Sequence, residues 1–529
     1  MLKQLFFLFL SVCFSIDAQA QAVPAYSVTI NTPQSAGYYF LTPMKITAGT
    51  STIVPTHLIL DKDGNVVYYR KLSGTTEFKI QPNGMITYNR QGKYYVMDST
   101  FTVKDSVTTE NGVLFDGHEL QILPNGNYLL LGYENVTMDL SSYHIFNGSN
   151  PGSSTATVRC NVIQELDPAK NVVFEWHCKD HYSFTDVDPM WLGSTSNVDW
   201  NHANALELDA DGNYLLSVRH FNEITKIKRS DSSIIWRLGG NANQFTFTND
   251  PSMFQGQHDI RRIANGHITL FDDGSAGPPV HAARGKEYQL NETSLTATLT
   301  WSYTENATTY SSAMGSVQRL SNGNTLVDYG IMYNLNRIFN VVDAVGSKVF
   351  EVVFSDTLRS YRSFNYLTLP WDLKRPQISC YTGGGQAYLD AGSGHTSYLW
   401  NTGATTQTIA VSATGNYSVR VPKGQGGFIY SPSYTVSNVS NPCQFLGVEA
   451  FDNEQAFLIV PNPVTDQVHI TWAANPAKET EFRIFDIFGK CIYSETNASG
   501  QETIVDASLW TPGLYMVHIN GQVRKLVKQ

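Results

Sequence analysis

The chain has 529 residues, too many for one ordinary hydrophobic core, so it should divide into domains. Aromatic residues make up 12% and charged residues only 16%, with Gly, Asn, Ser and Thr abundant, which points to an extracellular all-β protein of many short strands. A net charge of −10, with no long Lys/Arg run, argues against nucleic acid or an anionic membrane as partner.

The N-terminus, MLKQLFFLFLSVCFSIDAQAQA, carries one early lysine, an apolar stretch from Leu5 to Ile16 and a small-residue end. This pattern predicts a secretory signal peptide over 1–20, cleaved after Ala20. No later stretch reaches about 18 consecutive apolar residues, so no membrane span is expected. Five cysteines then remain, in an oxidising compartment. Cys160 and Cys178 flank a predicted hairpin, Cys380 and Cys443 bracket a separate region, and either pair can form a disulfide. Cys491 reads as a buried strand residue.

A glycine-centred turn recurs six times, at Gly64, Gly84, Gly126, Gly212, Gly266 and Gly323, as in DKDGNVVYY and LPNGNYLLL. Each reads as a two-residue hairpin turn between apolar strands. A second hairpin type interleaves with these, as in VIQELDPAKNVVFEW from Val162 and ITKIKRSDSSIIWRL from Ile224. Two alternating hairpins make a four-stranded antiparallel unit of roughly 40–60 residues, the size of a propeller blade. Counting pairs predicts a six-bladed β-propeller over 21–374, although the second blade lacks a clean outer hairpin. No amphipathic helix of useful length is apparent.

Pro370 to Pro376 reads as a boundary. The alternating strands of YLWNTGATTQTIAVSATGNYSVRV predict an immunoglobulin-like β-sandwich over 377–446, in the role of a spacer. A last β-sandwich is expected over 452–529. Its Pro461-Asn462-Pro463 element, Asp486–Gly489 turn, Gly513-Leu514-Tyr515 strand and basic ending resemble the C-terminal sorting domain of type IX secretion substrates. The resemblance implies the type IX secretion machinery as a partner, and export to the cell surface or beyond.

Three histidines fall at nearly one place in the repeat. His118, His202 and His258 lie eight, ten and eight residues before Gly126, Gly212 and Gly266. All three offsets are even, and strand side chains alternate with period two, so the imidazoles are expected on equivalent faces of equivalent strands. Seven residues after the turns come Tyr133, Arg219 and Asp273, which should return to the same end of each hairpin. Equivalent strands of a propeller converge on a central channel, so these groups should share its mouth. His57, His144, His267, His281, His395, His469 and His518 read as structural, and His177, His181 and His220 as neighbours of the site. Trp191 and Trp200 stand ready to stack on an aromatic ligand or to fill the core.

FDGHELQ, DWNHANAL, SVRH and GQHDIRRI, in the order His, His, Arg, His, resemble the bacterial arylsulfotransferases across most of 100–340. The resemblance implies a six-bladed propeller that moves a sulfuryl group from a phenolic sulfate donor to a phenol acceptor, without a nucleotide cofactor. It implies a transiently sulfated histidine at His258, with His118, His202 and Arg219 as the other catalytic residues. The chemistry suits these side chains. Imidazole can attack sulfur and leave again, a second imidazole can protonate the departing phenolate, and a guanidinium fork can hold a sulfonate edge. Asn204, Trp200 and Asp273 are the expected substrate-binding residues, with no metal and no cofactor. Neither a GxxxxGK[ST] loop nor a G-x-S-x-G elbow is present. Two other readings remain open: a metal-dependent hydrolase or lyase built on the three histidines, and a non-catalytic binding propeller.

Overall fold

A computed structural model describes residues 23–45, 53–145, 150–274, 281–332, 336–440, 442–443, 457–472, 481–487, 489–496, 502–519 and 522–529. The expected signal peptide lies outside them. The described residues form an all-β protein whose only helical pieces are single 3-10 turns, and none of its helices is long and apolar enough to cross a membrane. Contacts divide the chain into two compact units, 1–443 and 444–529.

The first unit contains six successive antiparallel sheets between Tyr26 and Tyr366, built around Tyr38–Lys71, Phe78–Val107, Leu114–His177, Ala203–Gly239, His258–Tyr303 and Ser316–Phe354. Apolar layers bind each sheet to the next. Phe40 and Ile59 meet Phe78 and Ile86, Tyr94 meets Leu120 and Leu130, and Leu129 meets Leu206 and Leu216. Further on, Ile224 meets Ile260 and Leu270, and Phe271 meets Val317 and Val327. The series returns to its start, because Val341 and Phe350 of the sixth sheet pack on Tyr39 and Leu58 of the first. Two strand exchanges fasten that return. The N-terminal strand Tyr26–Asn31 pairs with Lys348–Phe354 at the edge of the sixth sheet, and Phe364–Tyr366 pairs with Tyr38–Leu41 of the first. The second sheet does gain an outer strand, Val103–Val107, from the polar sequence VKDSV.

The six glycine turns are real hairpin turns, but they hold three residues rather than two. At the first, Asp61 N–H donates to the Asn65 carbonyl and Gly64 N–H to the Asp61 carbonyl, and the same pair of bonds recurs at all six. Gly64, Gly84, Gly126, Gly212, Gly266 and Gly323 all have φ between +77° and +88°. A type I turn needs such a left-handed residue before the returning strand, and only glycine adopts it without strain.

Residues 378–443 carry a small core of Leu389, Trp400, Ile409, Val419 and Val436, and Cys380 is disulfide-bonded to Cys443. The spacer role is corrected by the pairing of strands. Gly427–Tyr430 pairs with Val66–Lys71, so Leu399–Trp400, Val419–Lys423 and Gly427–Tyr430 extend the first sheet to seven strands. This covers a sheet edge that would otherwise present unpaired backbone groups. Gly427 makes the approach possible, since a Cβ there would lie 2.4 Å from the Tyr68 hydroxyl.

Cys160 and Cys178 are both buried and both free. Burial raises each thiol, Cys160 to about 12, so neither behaves as a nucleophile. In the second unit, two sheets enclose Val468, Ile470, Ile484, Val505, Val517 and Leu526. Cys491 opens one of its strands but is exposed, against expectation.

Candidate active site

His118 lies within strand Leu114–Ile122, His258 opens strand His258–Arg262, and His202 immediately precedes Ala203–Leu208. Strict alternation does not place them. Each strand has a bulge beside its histidine: the pairing slips between Leu130 and Gly132, between Ala203 and Ala205, and between His258 and Arg261. His202 and Asp259 have φ of +46° and +57°, a costly conformation for non-glycine residues. Bulges re-aim side chains at the ends of strands, and here they gather groups from separate sheets.

The His118 and His202 rings meet edge to face with centroids 5.1 Å apart. Tyr361, from the segment that closes the ring of sheets, touches His118 at 5.6 Å and His258 at 6.5 Å. Its hydroxyl donates to the Asn204 carbonyl at 2.8 Å. Arg219 and Asp273 also converge on His258: Arg219 Nη2 is 3.8 Å from Asp273 Oδ2, which is 3.3 Å from His258 Nδ1.

His258 is only 2% exposed. Burial, helped by Arg219, His202 and His118, pushes its imidazole well below the usual value, so it stays neutral. Its Nδ1 lies 2.9 Å from the Gly256 carbonyl, which can only accept, so the proton sits on Nδ1 and Nε2 keeps its lone pair. Nε2 accepts from the Met314 amide at 3.1 Å. Arg219 Nη2 donates to the Ser312 carbonyl at 2.6 Å, so one backbone segment covers both groups. Arg219 also stacks on Trp191, with Cζ 4.0 Å from the ring, and meets His220 Nε2 at 3.1 Å. Burial, then His202, lowers His220 to about 3, which makes it a permanent neutral acceptor for the guanidinium.

The other two imidazoles have acidic partners. His118 Nδ1 is bonded to Asp116 Oδ1, and His202 Nδ1 to Asp199 Oδ2 at 2.5 Å. Burial pushes the Asp116 carboxyl up, but His118 and Arg159 outweigh it and hold the group at about 2. His202 is lowered by burial, against the pull of Asp199.

Of the expected binding residues, Asn204 and Asp273 border the cluster. Asn204 Nδ2 donates to the Gln257 carbonyl at 2.8 Å and its Oδ1 has no hydrogen-bond partner. Neither Asp273 oxygen has a hydrogen-bond partner, and burial raises its pKa well above the carboxylate range. Trp200 is placed elsewhere, 1% exposed in the core between the third and fourth sheets, with Nε1 donating to the Phe184 carbonyl. Trp191, not Trp200, packs on Arg219 and His220. Asp116, Asp199, Tyr361 and the 311–315 segment escaped the sequence reading. Only the acids left a signal there, two and three residues before His118 and His202.

A metal would find a different trio from the three repeat histidines. The ligand atoms of Asp199, His202 and His220 lie within 4.8 Å of one another. The guanidinium of Arg219 against His220 Nε2 opposes a cation there, and His220 Nδ1 is engaged by the Asp199 carbonyl at 2.7 Å.

The family model for arylsulfotransferase (ASST) matches residues 30–365, more than half of the chain. The chain belongs to the arylsulfotransferase family. The secretion system C-terminal sorting domain matches residues 458–529, so the protein is exported to the cell surface or secreted through the type IX route. No curated protein is significantly similar to it in sequence. Among solved structures, a Bacteroides caccae protein of unknown function is 12% identical with a TM-score of 0.38, covering 62% of this chain and 98% of its own. A streptogramin B lyase is 10% identical at 0.28, covering 68% and 92%. A catalytically inactive virginiamycin B lyase from Staphylococcus aureus, solved with quinupristin, is 11% identical at 0.32, covering 69% and 95%. TM-scores this low carry no argument.

Proposed function

We propose that the protein is an aryl-sulfate sulfotransferase that moves a sulfuryl group from a phenolic ester to a phenol by a ping-pong path through sulfated His258. The six sheets are then the blades of one propeller over 21–374, followed by the modules at 377–446 and 452–529. The observation that carries this reading is the state of His258. A neutral imidazole with its proton tied to a carbonyl has its Nε2 lone pair ready for sulfur, and Arg219 lies beside it to hold sulfonate oxygens. Sulfuryl transfer, like phosphoryl transfer, depends on in-line positioning and cationic stabilisation of spread-out charge.

Donor binding displaces the backbone that now caps these groups. The Met314 amide leaves Nε2, and a sulfonate oxygen replaces the Ser312 carbonyl on Arg219. Met314 has φ of +69°, so the cap holds a non-glycine residue in a strained conformation. Asn204 and Asp273 border the bound group, and His118 and His202 handle the phenol proton.

The test is incubation with 4-nitrophenyl sulfate and a phenol acceptor, followed by intact mass and peptide mapping. A sulfuryl adduct on His258, and loss of both adduct and transfer in His258→Asn, are expected. Undiminished transfer by a folded His258→Asn protein would sink the assignment. The Asp199, His202 and His220 trio keeps a metal reading in view, and stoichiometric Zn, Mn or Fe needed for activity would favour it.

A further inference from the structure

We infer that Asp116 is a positioning residue that makes His118 the proton carrier of the reaction, an assignment that rests on the sulfuryl transfer proposed above. The three histidines differ in what holds Nδ1. For His118 and His202 it is a carboxylate, and for His258 it is the Gly256 carbonyl at 2.9 Å, with the Asp273 carboxyl farther off at 3.3 Å and not hydrogen-bonded to it. A carboxylate stabilises the imidazolium, whereas a carbonyl only fixes the neutral tautomer. The difference is written two residues upstream, where Asp116 and Gly256 hold equivalent places. Gly256 has φ +60° and no side chain, so no acid stands at that place in the sequence.

Asp116 is fixed more firmly than Asp199. Its Oδ1 also accepts the His118 amide at 3.0 Å, and its Oδ2 accepts from Arg159 Nη2 at 3.0 Å and Asn161 Nδ2 at 3.1 Å. Asp199 has 37% of its side chain exposed, and its Oδ1 has no hydrogen-bond partner. His202 moreover stacks on His220, the neutral partner of Arg219, and so sits beside a fixed cation that disfavours a second charge. His118 and His202 each keep about a quarter of the side chain exposed, so both are within reach of a phenol and it is the partners of each ring that separate them.

In the first half-reaction the Nε2 pair of His258 forms the N–S bond as the S–O bond to the phenol breaks. The electron pair leaves on the phenol oxygen, which takes the Nε2 proton of the His118 imidazolium. In the second half, the acceptor phenol returns a proton to His118 as its oxygen attacks sulfur. The N–S pair goes back to His258, and the protons balance over the cycle.

The experiment is kcat/KM for a series of aryl sulfate donors with progressively more basic leaving phenols, at saturating acceptor. Loss of a general acid should cost Asp116→Asn about 100-fold with phenyl sulfate but only about threefold with 4-nitrophenyl sulfate, whose phenolate needs little help. His118→Gln should show the same split and leaves the Asp116–Arg159 ion pair intact, so the test survives if Asp116→Asn misfolds. Asp199→Asn should lose a similar factor with every donor. Uniform losses in Asp116→Asn and His118→Gln would overturn the assignment, and a steeper split in Asp199→Asn would move the proton to His202. Wild-type protein that forms no adduct and transfers nothing would remove the reaction itself. Normal adduct formation with a flat donor profile would remove only the role of Asp116.

Discussion

Two buried polar regions of the first unit are built on opposite rules. In one, Glu77, Lys79, Glu119, Asp259, Arg261 and Arg362 form a closed set of ion pairs. Lys79 meets Glu77 and Glu119, Arg261 meets Glu119 and Asp259, and Arg362 meets Glu77, Glu119 and Asp259, all between 2.6 and 3.0 Å. In the other, around His258, both oxygens of Asp273, Arg219 Nε, Asn204 Oδ1 and Trp191 Nε1 lack hydrogen-bond partners. Arg362 joins the two, since its Nη2 donates to the Asn204 carbonyl at 2.9 Å, beside the Tyr361 hydroxyl bond to the same atom. Asp259 Oδ1 and Arg362 Nε in the first region also lack a hydrogen bond, but they face each other at 2.9 Å as an ion pair, so that region reads as a brace. Asn204 Oδ1 and Trp191 Nε1 in the second have no such partner and read as groups held open for a ligand.

The contrast breaks first at Arg362. Arg362→Met should strand Glu77, Glu119 and Asp259 as uncompensated buried acids and cost about 3–5 kcal/mol in denaturant unfolding. An unchanged midpoint would mean that the brace bears no stability. Arg219→Lys should do the reverse. Loss of the fork should lower kcat/KM by about 10²–10³, or about 2.7–4 kcal/mol of transition-state stabilisation, with little change in melting temperature. Asp273→Asn should sharpen the difference, raising stability by about 1 kcal/mol as a costly buried carboxyl is removed, while slowing transfer. A fall in stability there would class Asp273 with the brace.

A further effect is expected on pH dependence. Burial raises Glu207 and Asp328 from 4.5 and 3.8 to about 7 each. Folding therefore favours their protonated forms. The stability they add is complete below the unfolded values and is lost as pH rises through about 7. Melting temperature should decline across that window, and Glu207→Gln should flatten the decline. Asp116, held at about 2, contributes in the opposite sense, and its part is lost only as pH falls toward that value.

Much of the fold was legible in the chain. Six glycines in one repeat mark six hairpins, because a left-handed turn residue is a local demand that the sequence must meet on the spot. The sorting domain was equally plain, whereas the sequence offered Cys160–Cys178 and Cys380–Cys443 alike and only the second pair is bonded. The candidate site was legible in part, as three histidines, Arg219 and Asp273, but Tyr361 and the 311–315 segment left no signal and the arrangement was not readable. Even spacing singled out His118, His202 and His258, yet a bulge beside each one breaks the alternation on which that spacing relied. Trp200 looked like a stacking platform and is core, while Trp191 took the place beside Arg219, since nearness in sequence does not say which ring faces inward.

By itself the sequence determined where the hairpin turns fall and singled out the candidate histidines, because these depend on neighbours a few residues away. Only the tertiary structure decided what each imidazole is bonded to. Asp116 could be read two residues before His118, but its hold by Arg159 and Asn161, the Met314 amide on His258 and the Tyr361 contacts join residues 43 to 243 positions apart. Protonation state follows those distant partners and the burial they create, and no local pattern encodes either.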